Sequence, residues 1–398
     1  MLWLGLARNE HSIVSTRRRN QLIKVALVIS NLEYGGAQRQ LVELTNMGRA
    51  AGIEYVLVAL SDVVPLADKL TDRNQLYVIQ KHFKFDFTVP IRLSRLLRRL
   101  EVDIAHGFLF DAEMACRIAA LFAGDVIAVG SERNSDYRIK RIQLRAYRLT
   151  KSLRTACIAN SESGAKYNAR MLGYPSDHYH VVYNCVDTDR FCPRDKRQAQ
   201  EQLGLDPNFS WVGMFGSFKA QKNHKVFFEA ARRLIDSNDN VRLLLVGDTL
   251  AEGHRGTDEY KKDVLACVDR LGLAAYCNFL GNRQDVESVY PACDITVLPS
   301  LHEGTPNVAL ESMACGVPKI ASDVSDNSKV IRNNETGRIV PVNDSAALAQ
   351  AMRDLLEQSQ FANYGSAARD WVCERFSKKA LADNMAAVYQ ELVSARRR

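Results

Sequence analysis

A chain of 398 residues is long enough for two domains, each burying its own core. Its composition, 46% hydrophobic and 25% charged, is that of a globular protein, and no apolar run nears the roughly 18–20 residues that span a bilayer. Nine cysteines, an odd number with no C-x-x-C pair, argue against a disulfide framework or zinc site and for reduced thiols in a cytoplasmic compartment. The opening MLWLGLARNEHS is too short and has the wrong charge order for a signal peptide, so residues 1–22 read as an extension. The net charge of +7 is uneven. Residues 1–190 hold 27 Lys and Arg against 19 Asp and Glu, and the remainder 26 against 27. An excess confined to one half points to an anionic partner such as a membrane surface or a phosphorylated substrate. Nucleic acid fits less well, because the basic stretches lack interleaved aromatics.

In chain order, Lys24-Val-Ala-Leu-Val-Ile29 is a continuous β-branched run that fits a buried parallel strand. It leads through Gly35-Gly36 into a helical pattern at Leu41, Leu44 and Met47. Such a loop lets a ligand reach backbone N–H groups, although it equally suits a tight turn. Further strands are expected at residues 55–60 and 75–79. A helix over residues 91–100 then sets arginines on one side and leucines on the other. The leucines suit packing on a sheet, and the arginines suit anionic lipid. His106 closes the run Ile104-Ala-His106 before a helix over residues 111–122, which places it at the carboxyl edge of a parallel sheet, where ligands bind. Strands at residues 126–130, 157–160 and 179–183 follow. Asp187-Thr-Asp189 has the D-x-D form of a metal site, but the strand running into it and Cys192-Pro193 after it favour a turn.

The polar run from Pro193 is the best domain boundary. Beyond it the alternation restarts, with strands at residues 210–215, 241–246, 278–280 and 319–321. Two doubly wound α/β domains facing each other are therefore expected: residues 23–192 and 193–378, with an amphipathic helix over 379–398. The most informative stretch is Leu298-Pro-Ser-Leu-His-Glu-Gly-Thr-Pro-Asn-Val-Ala-Leu-Glu-Ser-Met-Ala-Cys-Gly-Val-Pro318. A strand ends, a loop follows, and Thr305 can cap a helix whose first residue is Pro306. That helix is apolar nearly all round, yet carries Glu311 with no partner nearby in sequence, and Glu303 stands at its mouth. Free N–H groups of its first turn suit a phosphate, so a ligand with a diphosphate there and polyols on either side would satisfy all three features.

These residues resemble the retaining glycosyltransferases of family four, which have the GT-B fold. The likeness is carried by residues 303–318, Ala321-Ser-Asp323 and Gly337-x-x-Val340-Pro341, with Gly35-Gly-Ala-Gln-Arg39, Asn160-Ser161 and Asn184-x-Val-Asp-x-x-x-Phe191 in the first half. The resemblance implies a nucleotide-sugar donor in the second domain and a glycan or lipid-linked acceptor at the first. It places Glu311 on the ribose hydroxyls, Glu303 on the donor sugar, and Gly304, Thr305, Pro306, Asn307 and Val308 around the diphosphate. Lys222 would neutralise that diphosphate without a metal or other cofactor, Gly36 would lie beside it, and His106 would approach the sugar from the opposite domain. Ser217, Lys219, Asn282 and Arg283 complete the candidate donor set. The chain departs from the family at Ser217, where an arginine is usual and Lys219 can compensate, and at Cys185, where a glycine is usual. The expectation is a metal-independent, retaining transfer from a UDP-sugar by default, in surface glycan synthesis, peripheral on the inner membrane face. A nucleotide-sugar epimerase of the same architecture and a silent donor-binding partner are the alternatives.

Overall fold

The computed structural model describes residues 22–396 except 84–85, 134–138, 250–256 and 358–362. Leu22 apart, the amino-terminal extension lies outside the described residues, as do Arg397 and Arg398.

Two wholly parallel sheets are formed. The first contains β1 (Ile23–Ile29), β2 (Ile53–Ala59), β3 (Leu76–Val78), β4 (Ile104–Phe108), β5 (Ile127–Glu132), β6 (Ala156–Ala159) and β7 (Tyr179–Val181), in the order β3-β2-β1-β4-β5-β6-β7. The second contains β8 (Ser210–Phe215), β9 (Val241–Val246), β10 (Cys277–Phe279), β11 (Ile295–Leu298), β12 (Lys319–Ser322) and β13 (Gly337–Val340), in the order β10-β9-β8-β11-β12-β13. Their strands read as unbroken apolar runs because helices cover both faces. Each order reverses once, between β1 and β4 and between β8 and β11, and a crevice opens at the carboxyl end of such a switch.

Helix Thr88–Arg99 starts three residues before its apolar pattern, where Asp86, one residue ahead of the Phe87 cap position, accepts the Thr88 N–H at 2.9 Å. Leu93, Leu96 and Leu97 are buried against the sheet side, each contributing about 1.5–3 kcal/mol, while Arg95, Arg98 and Arg99 face water. The carboxyl-terminal helix Lys378–Arg396 crosses back, and its Leu381, Met385 and Tyr389 join the hydrophobic core that also holds Val25, Leu27 and Ile29 of β1. The segment that leaves the first sheet after β7 runs beside this return, since the Val186 N–H donates to the Phe376 carbonyl at 2.9 Å. Asp187 accepts the N–H groups of Asp189 and Arg190, each at 3.2 Å, and pairs with Lys378 at 2.6 Å. The turn reading of Asp187-Thr-Asp189 therefore holds. The polar run after Pro193 folds into a short helix, Lys196–Gln202, anchored by Gln200 to the Ala292 carbonyl.

Candidate active site

The two switch points face each other. After β8, residues 216–222 form a loop ending at Lys222. After β11, a loop carrying Glu303 leads into helix Asn307–Ala314. From the other sheet, the loop after β1 leads into helix Gly36–Asn46. A Cβ on Gly36 would stand 3.2 Å from Asn307 Nδ2, so the amino ends of the two helices converge. Neither end is capped by a side chain. Two helix N-termini aimed at one space make a strong site for an anion.

That space is a cleft of about 260 Å³. Of the predicted residues, Gly36, Lys222, Glu303 and all of residues 304–308 line it. Lys222 Nζ lies 2.6 Å from Glu303 Oε1, which also accepts the Ser300 hydroxyl at 2.6 Å. The cation and the acid thus hold each other in place.

Helix Asn307–Ala314 begins one residue later than its sequence suggests, with Pro306 extended in the cap position. Thr305 does not cap it, because its hydroxyl donates to the Asn160 carbonyl of the first domain, and the Asn184 N–H approaches it at 3.4 Å. Glycine is required at 304: a Cβ there would come within 3.0 Å of the Arg133 carbonyl and closer still to Asn160. The contact between domains is reinforced by Asp326, which is 2% exposed. Its carboxylate accepts the Glu162 and Ser163 N–H groups at 2.6 and 2.9 Å, capping helix Glu162–Leu172 from across the cleft.

Glu311, on the same helix, is half-buried, and the partner that its neighbours in sequence do not supply comes from 21 residues away. Tyr290 donates to its Oε2 at 2.8 Å, and the Tyr290 ring stacks on Phe215 at 3.9 Å. Burial raises the Glu311 pKa, while the Tyr290 hydrogen bond and the charges of Arg39, Arg190 and Lys319 pull it back.

His106 is a correction. It sits in the middle of β4, registered beside Leu27 and Val129, and is fully buried. Side chains alternate along a strand, and this one points to the face covered by the carboxyl-terminal helix, where Nδ1 lies 2.8 Å from the Tyr389 hydroxyl. It does not line the cleft. Burial and the nearby Arg133 charge hold its pKa well below the usual value, so the ring is neutral. Five other candidates also lie off the cleft wall, Glu311 among them. Arg283 is taken by Asp285 at 2.6 and 2.9 Å, and its neighbour Asn282 is exposed. Ser217 and Lys219 lie in the β8 loop but not on the cleft wall. Burial, with repulsion from Lys222, lowers the Lys219 pKa.

Five lining residues were not candidates from sequence: Ala37, Arg133, Asn160, Asn184 and Gln221. A signal for Arg133 existed, since it follows directly on apolar strand β5 at the carboxyl edge.

The geometry sets two uncapped helix N-termini and Lys222 on one cleft between two Rossmann-like domains, and comparison with known proteins gives the class. Residues 34–190 match Glycosyltransferase Family 4 and residues 207–358 match Glycosyl transferases group 1. The two matches together take in most of the chain, which belongs to the group 1 glycosyltransferases of GT-B fold. It is similar to a D-inositol 3-phosphate glycosyltransferase of Mycobacterium sp. (strain KMS), 31% identical over half of this chain and 44% of that protein. The chain thus spans less than half the length of that relative. The UDP-Gal:alpha-D-GlcNAc-diphosphoundecaprenol alpha-1,3-galactosyltransferase of Escherichia coli is 28% identical over 72% of this chain and 76% of its own length. Among solved structures, Anabaena HepE in complex with UDP superposes with a TM-score of 0.81 at 21% identity, covering 93% of this chain and 100% of HepE.

Proposed function

We propose that the protein transfers a sugar, with retention of anomeric configuration and without a metal, from a nucleoside-diphosphate donor to a hydroxyl of a lipid-linked or polysaccharide acceptor. The observation that carries this reading is the convergence of two uncapped helix N-termini and Lys222 on one cleft. The diphosphate would lie against the N–H groups of Asn307 and Val308. Glu311, with one oxygen held by Tyr290, would offer the other to the ribose, and Glu303 would meet the sugar. As the bond from sugar to phosphate breaks, negative charge grows on the leaving oxygen, and these fixed dipoles and the ammonium stabilise it without rearranging. That oxygen would then accept the proton of the acceptor hydroxyl arriving on the same face. HepE, whose fold this chain shares, binds UDP and UDP-glucose, which favours a uridine donor. A thermal-shift screen of nucleotide-sugars tests the reading: a true donor at 100 times its Kd stabilises the fold by about 2.7 kcal/mol. A screen in which no nucleoside diphosphate or its sugar shifts unfolding would end it.

The acceptor would be met at a membrane. Among the described residues no helix is long and apolar enough to cross one. Helix Arg141–Leu149, however, buries none of its residues; it exposes Ile142 (68%) and Leu149 (85%) seven residues apart, beside Arg141, Arg145 and Arg148. Apolar and cationic groups on one face suit the headgroup region of an anionic leaflet on the cytoplasmic side. In vesicle sedimentation the protein is expected to bind phosphatidylglycerol-rich vesicles and not phosphatidylcholine, and to lose binding in the Ile142→Glu, Leu149→Glu double variant. Equal binding to both lipids would rule this surface out.

A further inference from the structure

We propose that Arg133, carried by the first domain, supplies the second positive charge to the donor diphosphate, from the opposite side of the cleft to the loop where Ser217 stands. This rests on the donor site proposed above and adds a residue to it. Arg133 follows directly on β5 and lines the same cleft as Gly36, Lys222 and Asn307. Its guanidinium lies over the Phe108 ring at 4.8 Å. Nη1 donates to Asn184 Oδ1 at 3.1 Å, and Asn184 in turn donates to Asn307 Oδ1 at 2.9 Å, one side chain away from the helix N-terminus. The Arg133 carbonyl is held by Asn160 Nδ2 at 3.2 Å. The backbone and one end of the guanidinium are therefore fixed, while Nε is buried without an acceptor among the described residues.

Charge points the same way. Three charged residues line the cleft: Arg133, Lys222 and Glu303. Lys222 and Glu303 neutralise each other at 2.6 Å. Among the described residues no carboxylate pairs with Arg133, although burial lowers its pKa to about 10 and leaves it charged at neutral pH. An arginine desolvated without a counter-ion is costly unless an anion arrives, and its planar fork matches two phosphate oxygens. A diphosphate would then be gripped from both domains at once, and donor binding would draw them together.

The test is calorimetry of UDP, and of uridine as the phosphate-free control, with no acceptor present. Wild type, Arg133→Lys and Arg133→Gln are compared, with circular dichroism to establish folding. Arg133→Gln is expected to weaken UDP about 10- to 100-fold, with uridine unchanged and Arg133→Lys in between. Equal loss for uridine would reduce Arg133 to a structural role. An unchanged UDP Kd overturns the proposal, and does so in favour of an acceptor phosphate if only the acceptor KM rises. A wild type that binds neither UDP nor another nucleoside diphosphate would instead sink the donor site itself.

Discussion

Replacing Lys222 with alanine is expected to lower kcat/KM for sugar transfer by about 10²- to 10³-fold, the usual cost of removing one group that stabilises charge in a transition state. Two effects combine. The ammonium no longer meets the departing diphosphate, and Glu303, which it holds at 2.6 Å, is left as an unpaired carboxylate in the space an anion must enter. The second effect can be separated. Adding Glu303→Gln to Lys222→Ala should restore donor affinity in part, because the repulsion goes, while kcat stays low, because the cation is still missing. Calorimetry with UDP reads the first and initial rates with donor and acceptor the second. Turnover like that of the wild type in Lys222→Ala would remove this residue from the mechanism. Equal donor affinity in the single and double variants would show that the ion pair does not govern the site's charge.

Lys319→Met is expected to make the protein more stable, by roughly 3 kcal/mol at pH 7. Lys319 opens β12, is fully buried, and its Nζ has no hydrogen-bond partner among the described residues. Burial, with repulsion from Lys222, lowers its pKa from the ordinary 10.5 to about 7. An unfolded lysine holds its proton up to about pH 10.5, whereas the native one loses it near 7. Between these values the unfolded chain binds more protons, so stability rises with pH by about 1.4 kcal/mol per unit. Below pH 7 both states are charged and the full cost of a buried ammonium remains. Methionine fills a similar volume without the charge. Urea unfolding at pH 6.5, 8 and 9.5 should show wild-type stability climbing and the variant lying above it, most of all at pH 6.5. A variant less stable than wild type at every pH would mean that an unseen partner holds the lysine.

Much of the architecture was legible in the sequence because it rests on short-range signals. Continuous apolar runs alternating with amphipathic stretches suffice for two parallel sheets. The element bounds moved by one to three residues where a distant group intervened, as when Thr305 bonded to Asn160 and left the cap position to Pro306. Gly36, Lys222, Glu303 and residues 304–308 were found because each stands in the loop, or the first turn of the helix, that follows a strand at a switch point, within or beside the short motifs that carry the family resemblance.

Sequence alone determined the class of fold, the carboxyl edge of each sheet at which the cleft opens, and the loop and helix at the centre of that cleft. Tertiary structure alone decided which side chains enter it. His106 bonds to Tyr389, 283 residues away, because the carboxyl-terminal helix returns to cover that face of β4. Glu311 meets Tyr290, and Arg133 reaches Asn307 through Asn184, by packing between elements that no local pattern relates. Periodicity along the chain tells which face a residue occupies, but what covers that face depends on contacts between residues far apart in sequence.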